Sequence, residues 1–282
     1  MERRLISVPD LSQGQPVIRS QTLSTGDQFN AYQAIPLIAK GQIKGVFEVF
    51  HRKTFHPDVD WLEFLEALAS QAAISIDNIE LFESLQRSNQ ELRLSYDATI
   101  EGWSYALDLR DRETEGHTRR VAEMTILLAR RIGIGEEELI HIRRGALLHD
   151  IGKMGIPDYI LLKTNALTEE EWKIMHLHPL YAHEMLSSVN YLRKALEIPY
   201  CHHEYWNGDG YPRGLKGELI PLKARVFALA DVYDALKSDR PYRKAWSEKK
   251  VMVYIQKMSG KQFDPTLVEE FFHLLDSVKG VK

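Results

Sequence analysis

Two β-rich runs, Asn30 to Ile38 and Ile43 to Phe50, flank Ala39-Lys40-Gly41-Gln42, and the pattern predicts a β-hairpin. Beyond His56-Pro57-Asp58 the period changes. Leu62, Leu65, Leu68, Ala69, Ala72, Ile76, Ile79 and Phe82 recur at helical spacing, with Asp58 placed to cap the first turn. The stripe continues through Leu85 and fades into polar Gln86 to Gln90, which predicts a connecting helix or short coiled coil between two domains. From Tyr96 the chain reads as almost wholly helical, with periodic segments at 97–109, 115–132, 136–150, 168–187, 191–205, 222–237, 247–259 and 264–276. One stretch, Trp206 to Pro221, is too rich in Gly and Pro to be helical. The expected class is α+β: a small αβ segment at 1–82, a helical linker at 83–96 and an all-α bundle at 97–282.

With 282 residues, 44% hydrophobic and 27% charged, the chain has room for two soluble domains. Thirty-six Lys and Arg against 40 Asp and Glu leave a net charge of -4, so there is no basic excess to hold nucleic acid or an anionic membrane. The chain lacks an apolar run long enough for a signal peptide or a spanning helix, and the expected location is the cytoplasm, without membrane insertion. Cys201 is the single cysteine, so a metal would have to be held by nitrogen and oxygen.

Of 11 histidines, eight lie between positions 117 and 203, interleaved with carboxylates. His, Asp and Glu together are the ligand set of hydrolytic metal sites. Val121, Thr125, Leu128 and Ile132 mark an inward helix face that, extended backward, meets His117 and then Glu113. That pair fits a shared metal, although taken alone a Glu and a His so spaced more often form a buried hydrogen bond. His149-Asp150 closes the apolar run Gly145-Ala146-Leu147-Leu148; an adjacent His and Asp can converge on a dinuclear centre, the Asp bridging. Lys153, one turn on, is placed to meet a phosphate, or else is a surface lysine. His178 precedes Pro179, and His202-His203 follows the apolar approach Ile198-Pro199-Tyr200-Cys201, which favours a coordinating pair. Asp231 and Asp234 sit in the apolar segment Ala224 to Leu236, where unpaired carboxylates would each cost several kcal/mol. Asp231 as a metal ligand and Asp234 as an anchor for Arg240 or Arg243 would satisfy both. His141, His176 and His183 are set aside as ligands, Trp103, Trp172 and Phe271 are expected in the core, and Trp206 and Tyr211 are expected as exposed aromatics able to stack on a base.

The hairpin and following helix resemble the last part of a GAF domain, over about residues 10 to 85, without its first half. A dimerisation module without a ligand fits the same residues.

Glu113-xxx-His117, His149-Asp150-Ile-Gly-Lys153, His178-Pro179, His202-His203-Glu204, Gly208-Asp209-Gly210-Tyr211-Pro212, Asp231-Val-Tyr-Asp234 and Asp239-Arg240-Pro241-Tyr242-Arg243 stand in order. Together they resemble the HD-GYP family, the branch of the HD phosphohydrolases that degrades cyclic di-GMP. The resemblance implies an HD-type helical bundle with two or three divalent ions, iron or manganese foremost and zinc or nickel as alternatives. The implied ligands are Glu113, His117, His149, Asp150, His178, His202, His203 and Asp231, with Glu113 tied to a third ion. It implies catalytic roles for His149, Asp150 and Lys153, and substrate contacts from Lys153, Gly210, Tyr211, Pro212, Asp234, Arg240 and Arg243. Five imidazoles and three carboxylates would carry about three negative charges against four or six from the metals, leaving a cationic pocket for an anionic phosphodiester. Metal-activated hydroxide would attack phosphorus in line, giving pGpG, GMP or both. The implied partners are cyclic di-GMP, a second copy of the chain paired through the N-terminal segment and connecting helix, and a GGDEF-domain or adaptor protein at the GYP loop. Two alternatives stand beside this reading: a phosphohydrolase for another nucleotide, and a weakly catalytic module that docks diguanylate cyclases.

Overall fold

The computed structural model describes residues 3–13, 29–111, 116–239 and 244–279, and the chain divides into two compact units, Met1–Arg93 and Leu94–Lys282. The fold class is α+β.

In the first unit three antiparallel strands, β1 (Ile6–Val8), β2 (Ala31–Ala39) and β3 (Gln42–His51), lie in that order. The hairpin closes with Ala39 opposite Gln42, and its two turn residues, Lys40 at φ 48° and Gly41 at φ 79°, adopt the left-handed conformations of a tight hairpin turn. The short β1, absent from the sequence expectation, pairs Ser7 with Gln33. Helix α1 (Val59–Asp111) starts beside Asp58, whose carboxylate accepts the Trp61 amide at 2.9 Å. One sheet face buries Ile35, Leu37 and Ala39 against Leu65, Ala69 and Ala73, which recur every four residues along α1. Such a leucine contributes about 1.5–3 kcal/mol through burial.

Helix α1 is one element of 53 residues, so the expected linker and the segment at 97–109 are the same helix. Helices α2 (His117–Arg131), α3 (Glu136–Leu147), α8 (Leu222–Lys237), α9 (Glu248–Met258) and α10 (Pro265–Lys279) build the second unit around Leu128, Ile142, Leu148, Phe227, Leu229, Ile255 and Phe271. Short pieces connect them: a 3-10 turn at Ile151–Gly155, α4 (Asp158–Leu161), α5 (Glu169–Met175), α6 (His178–Ser187) and α7 (Glu197–Cys201). The segment expected as one helix at 168–187 therefore breaks, because Pro179 opens a new first turn. Likewise 191–205 is a 3-10 turn followed by the brief α7. Trp103 and Trp172 are not core residues: they are 45% and 47% exposed, whereas Phe271 is fully buried. Arg144 is buried and held by Asp97 at 2.8 Å and by Tyr191.

Among the described residues no helix is long and apolar enough to cross a membrane.

Candidate metal centre

Each candidate ligand sits at an element boundary or on an inward face. His117 opens α2, His149 and Asp150 lie between α3 and the 3-10 turn, His178 opens α6, His202 and His203 follow α7, and Asp231 lies inside α8. Close approach fixes the middle of this arrangement. At Gly152 a Cβ would stand 1.8 Å from the His178 carbonyl oxygen and 2.6 Å from the Ala182 amide nitrogen, so only glycine lets the segment after Asp150 pack on α6.

Two groups of donor atoms result, each with its atoms within 4.8 Å of one another: Asp150, His178, His202 and His203 in one, His117, His149 and Asp231 in the other. The His149-Asp150 pair joins them, with His149 Nε2 3.0 Å from Asp150 Oδ2. Asp150 Oδ1 lies 3.3 Å from His178 Nε2 and 3.7 Å from His202 Nε2, and His117 Nε2 lies 3.3 Å from Asp231 Oδ1.

The other ring nitrogens settle which way the lone pairs point. His149 Nδ1 is 2.8 Å from the Ala146 carbonyl, His178 Nδ1 2.8 Å from the Met175 carbonyl, and His202 Nδ1 3.1 Å from the Ile198 carbonyl. His117 Nδ1 is 2.7 Å from Asp234 Oδ2. A carbonyl, like an ionised carboxylate, only accepts, so Nδ1 donates in every case, and Nε2 is the nitrogen each ring has left to offer a metal. His178 and His202 face each other Nε2 to Nε2 at 3.4 Å, an approach that a shared cation would hold. A buried set of imidazoles and carboxylates without thiolates fits a divalent ion of the iron, manganese, zinc or nickel type.

Electrostatics separate the groups. Burial pushes His178 down to about 3, and burial with neighbouring His202 and His178 holds His203 well below the usual imidazole value, so both rings are neutral as metal ligation requires. Burial also opposes charge on His149, but Asp150 and Asp231 outweigh it and lift that ring to about 9, so a metal bound there would displace its Nε2 proton. Against burial, His149 and Lys153 hold Asp150 well below the carboxylate range, and the hydrogen bond from His117 lowers Asp231. Both carboxylates are therefore ionised.

Lys153 reaches Asp150 Oδ2 at 2.7 Å and Asp111 Oδ2 at 3.1 Å, so it faces the donor groups rather than solvent. In the glycine-rich loop a Cβ on Gly210 would stand 2.2 Å from the Tyr205 amide nitrogen and 2.5 Å from the His203 carbonyl oxygen. That approach lets the Tyr211 amide donate to the same carbonyl at 3.1 Å. Pro212 follows through a cis peptide bond. The Tyr211 ring stacks on His176 at a centroid distance of 3.9 Å and on His203 at 4.7 Å. Tyr211 is therefore not the exposed platform expected from a loop rich in breakers: the loop folds back onto His203. Trp206 is likewise partly covered, with the Arg225 guanidinium 5.7 Å from its ring.

Asp234 pairs with Arg120 as well as His117, while Arg240 and Arg243, its expected partners, lie outside the described residues, as does Glu113. Sequence reasoning missed four residues of the surroundings. Arg120 follows His117 by one turn, a spacing that could have found it. Glu204, buried, accepts the Arg213 and Leu215 amides at 2.8 and 2.9 Å and so ties the loop back to the His202-His203 pair. His176, set aside as a ligand, covers Tyr211. Asp111 has no local signal, since its partner lies 42 residues away.

Residues 103–267 match the HD domain family model and residues 1–76 the GAF domain model. The chain is 39% identical over 193 residues to the cyclic di-GMP phosphodiesterase response regulator RpfG of Xanthomonas campestris pv. campestris, covering 68% of this chain and 51% of that protein. It is 36% identical over 209 residues to the 3'3'-cGAMP-specific phosphodiesterase 2 of Vibrio cholerae, covering 73% of this chain and 39% of that protein. The chain thus spans about half or less of the length of these relatives. A solved cyclic GMP-AMP specific phosphodiesterase of V. cholerae superposes with a TM-score of 0.51 at 20% identity, covering 63% of this chain and 48% of that one, a likeness of fold.

Proposed function

The chain belongs to the HD-domain family, and from that membership we propose that it is a metal-dependent phosphodiesterase that hydrolyses a cyclic dinucleotide, cyclic di-GMP foremost, to pGpG, GMP or both. The observation that carries the reading is the approach of His178 Nε2 to His202 Nε2 at 3.4 Å beside an ionised Asp150. Asp150, His178, His202 and His203 would hold one ion and His117, His149 and Asp231 another, with Asp150 close to both; Glu113 is the candidate for a third. Iron or manganese is the leading identity, zinc and nickel the alternatives. Such ions would supply Lewis acidity toward a phosphoryl oxygen and lower the pKa of water.

The chain's own groups do the rest. Lys153 brings a fixed positive charge to the edge of the site, where it would take a non-bridging phosphate oxygen and offset the charge that develops in the transition state. The hydrogen bonds to Nδ1 fix tautomer and ring orientation, so the donors need little rearrangement. Arg240 and Arg243 are proposed as further phosphate or base contacts. The similarity to a 3'3'-cGAMP-specific relative favours a second reading, in which the substrate is a mixed cyclic dinucleotide and the machinery is the same.

The proposal extends to a homodimer formed through the N-terminal unit and α1, in the cytoplasm. Along α1 the positions Phe82, Leu85, Asn89, Leu92, Tyr96, Thr99 and Trp103 alternate in steps of three and four, and Phe82, Leu85 and Leu92 are 60%, 64% and 53% exposed.

The test of function is Asp150→Ala. It is expected to abolish hydrolysis and lower metal content, and unchanged activity would overturn the mechanism.

A further inference from the structure

The last two residues of α1 grip Lys153 from two sides. Asp111 Oδ2 takes its ammonium group at 3.1 Å. The Arg110 guanidinium donates to the Lys153 carbonyl at 2.9 Å, to the Ile156 carbonyl at 2.8 Å and to Asp158 Oδ1 at 2.8 Å. The main chain and the charged tip of one lysine are thus both tied to consecutive residues at a helix end.

We propose that Asp111 is a positioning residue that holds the Lys153 ammonium at the edge of the metal centre, with Arg110 fixing the backbone beneath it. The inference rests on the phosphate-binding role given to Lys153 above. Its second partner, Asp150, is shared with His149, His178 and His202, whereas Asp111 falls outside both donor groups. The Asp111 side chain is 4% exposed, and a carboxylate so buried is costly unless a cation meets it. Lysine has four rotatable side-chain bonds, and anchoring its tip removes that freedom before substrate arrives. A rigid grip on both ends also means that a shift of the α1 terminus carries Lys153 with it, and misplacing a catalytic group by about 1 Å can cost about a hundredfold in rate.

The test combines kinetics with labelling in the full metal-loaded chain. Asp111→Asn is expected to lower kcat/KM by about tenfold, as loss of a charge-assisted hydrogen bond does, and Asp111→Glu to restore part of it. Metal content should stay unchanged. In a Lys153→Met background, Asp111→Asn should cost nothing further; an undiminished cost there, or no cost in the parent chain, would overturn the proposal. Labelling of Lys153 by an amine-reactive ester, read by mass spectrometry, needs no substrate. It should accelerate by at least about threefold in Asp111→Asn and by less in Asp111→Glu, which keeps the charge and serves if the first variant does not fold. Faster labelling in a chain that hydrolyses no dinucleotide would sink the functional reading while keeping the positioning role. Unchanged labelling would sink the positioning role itself.

Discussion

His117 donates through Nδ1 to Asp234 Oδ2 at 2.7 Å, although the two residues are 117 positions apart. The same carboxylate takes the Arg120 guanidinium at 2.8 and 2.9 Å, so one side chain fixes a candidate ligand and ties α2 to α8. Burial opposes ionisation of Asp234, but the hydrogen bonds from His117 and Arg120 outweigh it and hold its pKa at about 2. A carboxylate whose folded value lies below its ordinary value stabilises the fold above that ordinary value and stops doing so as the pH falls through about 2. Asp234→Asn should therefore destabilise the metal-free chain by about 2 kcal/mol at pH 7, and the difference should shrink as the pH falls from 4 to 2. Thermal melts across that range check it; a difference independent of pH would show that the carboxylate charge contributes nothing.

The Tyr211 ring stacks on both His176 and His203, which assigns its phenyl ring a supporting role. Tyr211→Phe should keep kcat/KM within about threefold, whereas Tyr211→Ala should lower both metal retention and turnover by about tenfold, because a supporting partner of the candidate ligand His203 is lost. A Tyr211→Phe variant as damaged as Tyr211→Ala would return the hydroxyl to the substrate.

The heptad steps along α1 include a polar residue, Asn89, at the kind of core position that selects a parallel, in-register pair of helices. The intact chain should elute with the mass of a dimer in size-exclusion chromatography with light scattering. Leu85→Glu with Leu92→Glu should give a monomer. A double variant that remains dimeric would move the interface off this face.

How far the sequence carried the account follows from where each signal resides. The hairpin and α8 were legible because their periods are local, and the adjacent pairs His149-Asp150 and His202-His203 announced themselves inside apolar runs. What escaped was either short or long-range. The three residues of β1 are too few to show a period, and their partner strand begins more than 20 residues later. The break before His178 is legible only in retrospect from Pro179. Asp111 was invisible because a carboxylate near a helix end looks like any solvated charge until the fold brings its partner, 42 residues on, whereas Arg120 had only its one-turn spacing from His117 to mark it. The covering of Tyr211 was missed for a related reason: glycines and prolines signal that a loop is irregular, not which way it turns.

The central claim is that two adjoining donor groups hold divalent ions that serve a cyclic dinucleotide. The direct measurement is anaerobic purification followed by elemental analysis and turnover of cyclic di-GMP and 3'3'-cGAMP on one sample, with products resolved by chromatography. About two to three metal equivalents per chain, with a linear dinucleotide or mononucleotides appearing from at least one substrate, is the predicted result. A metal-loaded chain that cleaves neither dinucleotide, or a chain that binds no metal, would contradict it.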